Sequence, residues 1–259
     1  MTAPAGLNEP VSLEFRGTPL EWARWILLAF GAALLVVPLA WVTAAIARWA
    51  CRNTKFSDGT TVEFRGTGDE VVVWHVFYIF ILVGHFFLVH LMDDAGPVVH
   101  IGVMLAANVL MLYILLMLIK WFVYNVKISP GPAMSFVGSF LSLLGRSLLV
   151  TLLAFTIVGW AWALAALYRW MAENVKGRGV RFEFHGKASE ILWLVLATVL
   201  GSVVIVTIPW LTIWLKRWLV ENITFRRVEE NEWLSDPSEP RVQPKPSSPA
   251  PRSPVLPID

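Results

Sequence analysis

A single cysteine, Cys51, stands in 259 residues. It excludes an intramolecular disulfide and any metal site built from several thiolates. Charge is sparse as well: 15% of residues are charged, against 56% hydrophobic. A net charge of +2 provides no long-range field for nucleic acid, which is therefore not an expected partner. The sequence has no nucleophile elbow, phosphate loop or dinucleotide fingerprint. "GLNEP" and "GTGDE" are too short and wrongly placed to cradle phosphate. The expectation is a protein that is not an enzyme and has no catalytic residue. The polar start "MTAPAGLNEP" lacks a basic region leading into a short apolar core. It reads as no cleavable signal peptide, with the first membrane helix serving as insertion signal.

What is abundant is apolar sequence, with fourteen Trp. A membrane-spanning helix needs about 20 apolar residues. Five runs qualify: 25–47, 71–92, 98–119, 147–168 and 191–215. None contains Asp, Glu, Lys or Arg. Ion-coupled carriers and proton pumps usually place such a residue inside the membrane, so this absence argues against them. Asn108, Thr198, Thr207 and Thr212 read instead as hydrogen-bond partners between helices.

The runs belong to a repeat. "RWACRN", "KWFVYN", "RWMAEN" and "RWLVEN" close four segments at Arg48, Lys120, Arg169 and Arg217. Each has a basic residue, Trp (Trp49, Trp121, Trp170, Trp218), three variable residues and Asn (Asn53, Asn125, Asn174, Asn222). A matching Phe-x-Gly opens each segment at Phe15, Phe64, Phe136 and Phe184. The opening Phe precedes the closing basic residue by 33 positions in repeats 1, 3 and 4, and by 56 in repeat 2. Internal duplication is the reading, with repeats at about 13–54, 62–126, 134–175 and 182–223.

Each Phe-x-Gly ends an alternating strand pattern, as in "TTVEFRG" and "GVRFEFHG". The junctions therefore read as short hairpins or extended ties at the membrane surface. The closing Trp and its basic neighbour read as interface anchors, with Asn capping the helix end. Repeat 2 reads as two spans and the other repeats as one each, so successive junctions need not share a face: 48–70, 120–139 and the C-terminal tail lie on one side and 169–187 on the other. The distribution of Lys and Arg then places the C-terminus in the cytoplasm and the N-terminus outside.

The run "WVTAAIARWACRNTKFSDGTTVEFRGTG" at 41–68 resembles the repeated unit of the YjgN-type family of bacterial inner-membrane proteins. The likeness is looser at 169–186 and degenerate at 120–138. It lacks the family's Leu-Gly-x-Tyr before the Trp, and the longer repeat 2 is a further departure. The resemblance implies a multi-pass protein of the bacterial inner membrane and supplies no activity or site.

Histidines are the main candidates for chemistry. His75, His85 and His90 lie on the second run and His100 opens the third, with Asp93 and Asp94 between. His90, Asp93, Asp94 and His100 form a weak candidate metal set beside the reading that span ends tolerate polar residues. His85, deeper in "LVGHFFL", is a candidate axial ligand of haem or chlorophyll, or a hydrogen-bond partner of a neighbouring helix. From Glu229 the chain turns Pro-rich, with eight prolines in its last 23 residues. This 229–259 tail reads as extended polyproline II lying along a partner, anchored by Trp233, Val255 and Leu256.

The expected fold is an all-α membrane protein of about five transmembrane helices, joined by short surface hairpins. The expected function is a non-catalytic accessory or scaffold subunit of a larger bacterial membrane complex, respiratory or photosynthetic. Its partners are the lipid bilayer and other membrane-protein subunits, and no cofactor is required. The alternative is a small-molecule or lipid transporter without an intramembrane acidic coupling residue. A porphyrin-binding protein is a third, weaker reading.

Overall fold

Each of the four repeats folds as strand, helix, helix, strand. The computed structural model describes residues 10–91, 96–129, 134–156, 158–177 and 179–227. Asp93, Asp94 and the tail from 229, with Trp233, Val255 and Leu256, lie outside the described residues. Repeat 1 comprises β1 (Pro10–Phe15), α1 (Pro19–Leu35), α2 (Leu39–Asn53) and β2 (Thr54–Phe56). Repeat 2 comprises β3 (Thr61–Phe64), α3 (Val72–Leu91), α4 (Pro97–Asn125) and β4 (Val126–Ser129). Repeat 3 comprises β5 (Met134–Phe136), α5 (Phe140–Leu153), α6 (Gly159–Glu173) and β6 (Val175–Gly177). Repeat 4 comprises β7 (Val180–Phe184), α7 (Ala188–Gly201), α8 (Ile208–Glu221) and β8 (Ile223–Arg227).

The two strands of every repeat pair antiparallel, so each helical hairpin leaves the strand layer and returns to it. Six strands form one sheet in the order β2-β1-β8-β7-β6-β5, and β3 pairs with β4. The helices close a ring above it: α2 packs on α3, α4 on α5, α6 on α7 and α8 on α1. Alternate strand residues face the helices and are buried, among them Val11, Phe15, Ile128, Phe136 and Phe225.

These strands overturn the all-α, five-span expectation. The runs 25–47, 147–168 and 191–215 each break in the middle and double back. Val36 adopts a left-handed φ of 63° and Pro38 precedes α2, so repeat 1 turns there. In repeat 3, Thr156 Oγ1 donates to the Leu153 carbonyl and accepts from the Gly159 N–H. In repeat 4, a 3-10 turn at Ile205–Thr207 and Pro209 in the first turn of α8 make the bend.

Among the described residues only α3, with 20 residues, and α4, with 29, are long and apolar enough to cross a membrane. The legs of the other hairpins have 14 to 17 residues. At about 1.5 Å per residue they reach roughly 21–26 Å, short of a bilayer core about 30 Å thick. The extra length of repeat 2 thus lengthens both legs of a hairpin rather than adding a pass to a single span. The expected placement of junctions on both faces is corrected too. All strand junctions share one layer, and β1 pairs directly with β8, so the two ends of the described chain lie on the same side.

Candidate functional site

The repeated residues meet in a clamp at each junction. The opening Phe and closing Trp rings pack edge to face: Phe15 on Trp49 at 5.6 Å, Phe64 on Trp121 at 5.1 Å, Phe136 on Trp170 at 5.7 Å and Phe184 on Trp218 at 5.9 Å. The glycine two residues after each Phe lies against both rings. A Cβ on Gly17 would sit 2.6 Å from the Phe15 ring and 2.8 Å from the Trp49 ring, which is why the position takes no side chain. The backbone N–H after each Phe donates to the Asn carbonyl of its own repeat, as Arg16 to Asn53 and Arg65 to Asn125. Each Asn side chain, Asn53, Asn125, Asn174 and Asn222, donates back to the carbonyl of its Trp at 2.7–3.1 Å.

An acid completes three of the clamps. The Trp49, Trp121 and Trp218 indoles donate to Glu21, Glu70 and Glu190 at 3.3, 2.6 and 3.1 Å. Glu21 and Glu190 lie in the first turn of α1 and α7, and Glu70 in the 3-10 turn just before α3; Glu21 also accepts from the Thr18 N–H. That backbone bond is the main reason its carboxyl lies below the usual range. Ser142 occupies the corresponding place in repeat 3, and the Arg146 guanidinium lies 4.8 Å from the Trp170 ring centre. The Trp rings proposed as outward anchors are thus engaged between helix end and strand, and Trp170 is buried. Arg48 and Arg169 remain exposed, Lys120 is half-buried, and Arg217 donates to the Gly17 carbonyl at 3.1 Å.

A cavity of about 620 Å³ lies between α2, α4, α6 and α8, above the strands. Its wall follows the repeat. The residue before each closing basic residue lines it: Ala47, Ile119, Tyr168 and Lys216. So does the residue after each Trp: Ala50, Phe122, Met171 and Leu219. A second space of about 240 Å³ shares Phe122, Val123, Val175, Phe182 and Ile223 with it and reaches toward the strands. Phe225, packed on Phe56 at 4.9 Å and Phe182 at 6.1 Å, belongs to the buried strand face below.

Two members of the upper ring are polar. Lys216 Nζ lies over the Trp22 ring and 5.7 Å from the centre of the Trp49 ring. Those two indoles are themselves stacked, 5.6 Å apart and 17° from parallel. Trp22 is fixed by donation from Nε1 to Thr212 Oγ1 at 2.8 Å. Burial pushes the Lys216 amine down to about 7, while the aromatic faces favour its charged form. Burial also raises the Tyr168 phenol. At the strand end of α2, burial pushes the Cys51 thiol up to about 12.

Three of the histidines bond backbone carbonyls. His75 is buried; its Nδ1 donates to the Val71 carbonyl, and Nε2 is 2.9 Å from the Thr43 hydroxyl on α2. His90 bonds the Phe86 carbonyl, and His100 bonds the Gly96 and Val89 carbonyls. No group of three His, Cys, Asp or Glu capable of holding a metal occurs among the described residues. His85 Nδ1 is buried without a hydrogen-bond partner among them. The groove beside it is walled by α3 alone, through Leu82, Val83, Phe86, Val89 and His90.

The cavity ring escaped the sequence reading because its positions vary: Ala, Ile, Tyr and Lys share no residue type. The available signal was their constant place, one residue before each repeated basic position. No protein-family model, curated protein or solved structure matches the chain.

Proposed function

We propose that the chain is a non-catalytic integral membrane protein of the bacterial inner membrane, acting as an accessory or scaffold subunit. It inserts four hairpins from one face, three of them part-way and one across. The observation that carries the insertion is the chemistry of the hairpin bends. Leu34 is 73% exposed, Phe155 89% and Val203 82%, and no charged residue stands within the bends 33–40, 152–160 or 200–209. Bends of soluble helical hairpins are polar, because they face water; these suit hydrocarbon.

Support for a holding role comes from how the reactive side chains are used. Glu21, Glu70 and Glu190 receive Trp indoles, His75 ties α3 to α2, and Asp58 pairs with Arg227. The apolar axis disfavours passage of a polar solute, which leaves lipid as the cargo for the transporter alternative. The likeness of 41–68 to the YjgN-type repeat unit supports the choice of membrane.

The test is purification of the tagged protein from its own membranes in mild detergent, followed by mass spectrometry. Stoichiometric membrane-protein partners are the expected result. A solitary protein at native expression overturns the scaffold role in favour of lipid handling.

A further inference from the structure

Repetition makes the axial cavity unusual. Four equivalent positions face it, and two of them, on neighbouring repeats 3 and 4, carry the Tyr168 hydroxyl and the Lys216 amine. The remaining wall is aliphatic and aromatic. We propose that this cavity binds one long-chain fatty acid, with its carboxylate at Lys216 and Tyr168 and its chain along the axis.

Three observations lead there. The first is size: about 620 Å³, continued by about 240 Å³ toward the strands. Ligand sites usually occupy roughly 300–1,000 Å³. The second is an uncompensated charge. Lys216 forms no ion pair among the described residues, and its cation is met only by the Trp22 and Trp49 faces. An ammonium in an apolar wall is favoured strongly by an anion, and least costly where that anion arrives with its own hydrocarbon. The third is a free donor. Tyr168 is half-buried on the wall, and its hydroxyl makes no hydrogen bond among the described residues and so can donate to a ligand.

The same features select the occupant. One ammonium and one phenol match a single carboxylate. A phosphate dianion would call for more cations, and a two-chain lipid for a second apolar branch. The Lys stem also gives the head group latitude, because its amine can leave the Trp22 face to meet an anion. This inference stands whether or not partner subunits accompany the protein.

The experiment uses the full chain in mild detergent and palmitate carrying a photoreactive diazirine on its chain. Peptide mapping is expected to place the crosslinks on α2, α4, α6 and α8 at one palmitate per protein. Lys216→Met should weaken palmitate binding roughly tenfold, the scale of one charge-assisted contact, and leave hexadecanol binding unchanged. Lys216→Arg should restore palmitate binding, and Ala47→Trp should abolish binding of both probes by filling the cavity. Tyr168→Phe offers an independent check that leaves the Lys216–Trp22 contact in place; it should weaken palmitate alone. Unchanged palmitate binding in both Lys216→Met and Tyr168→Phe overturns the head-group assignment. Crosslinks confined to the outer faces of α3 and α4, or full binding by folded Ala47→Trp, overturn the site itself.

Discussion

The Phe15 and Trp49 rings meet edge to face at 5.6 Å, with Gly17 packed against both. Gly17 leads from strand to helix while Trp49 lies on the returning helix, so this one contact fixes both legs of a hairpin to the strand layer. Gly17→Ala forces the rings apart and should destabilise by about 1–3 kcal/mol, the usual range for overpacking. Gly31→Ala is the control. No atom lies within 4 Å of its added Cβ, and Gly31 is inside α1, so the change should be neutral or slightly stabilising. Thermal unfolding in detergent reads both, and equal midpoints for the two variants would remove the clamp from the account.

The residues of this clamp were legible in the sequence, and its geometry was not. Phe-x-Gly and basic-Trp-x3-Asn recur at fixed spacing because four hairpins must end in the same contact. Spacing alone did not say that Trp49 turns onto Phe15 instead of toward headgroups. The bends were hidden for a different reason. A run such as 25–47 has the length and hydropathy of a span, and an apolar bend at Val36–Pro38 leaves both unchanged. Hydropathy reports where water is excluded, not how often the chain reverses there. Strand pairing was equally out of reach, since β1 finds β8 across nearly the whole described chain.

Glu70 accepts from Trp121 at 2.6 Å and from Asn125 at 3.0 Å, joining the start of repeat 2 to its end. Glu70→Ala removes the acceptor of the Trp121 indole, the Asn125 amide and the Thr67 N–H, and should cost about 1 kcal/mol because the site is partly open to solvent and Asn125 keeps the Trp121 carbonyl. Repeat 3 offers the converse test. Ser142→Glu supplies the acid that the other repeats have, beside Trp170 and Arg146, and should raise the unfolding midpoint. A lower midpoint would mean that the third clamp is built for Arg146 instead.

Cys51 is buried and its thiol is pushed up to about 12, so at neutral pH it is protonated as well as inaccessible. The thiolate is the reactive form, so folded protein should resist maleimide at pH 7–8 and react fully once denatured. Rapid labelling under native conditions would contradict the packing of α2 against the strands.

That inertness permits a topology map from added cysteines. Ser12→Cys and Ser129→Cys, on exposed strand positions of repeats 1 and 2, should both label from one face of intact vesicles. Val98→Cys, beyond the first spanning helix, should label from the other. Val203→Cys, at the bend of repeat 4, should resist an impermeant reagent from both faces until detergent is added. Labelling of Ser12 and Ser129 from opposite faces would restore junctions on both faces and break the one-sided arrangement.

The turn that follows the first repeat is joined to the last repeat by Asp58 and Arg227, 3.0 Å apart. The Asp58 side chain is only 2% exposed, and Arg227 also donates to Thr60 Oγ1 at 3.2 Å. Asp58 lies in the turn between repeats 1 and 2, whereas Arg227 ends the strand of repeat 4. Their bond therefore reinforces the β1–β8 junction. Removing one partner of a buried pair leaves the other uncompensated, which typically costs about 3–5 kcal/mol. Arg227 is one-quarter exposed and can reach water once Asp58 is gone, so Asp58→Ala should lose less than this, whereas Arg227→Met strands the buried Asp58 carboxylate and should lose about the lower end of it. The double variant should lose less than the sum, because neither charge is then stranded. Strict additivity in that cycle would show the two residues to be neighbours without being partners, and ring closure would then rest on the strand ladder and the Trp22–Thr212 bond.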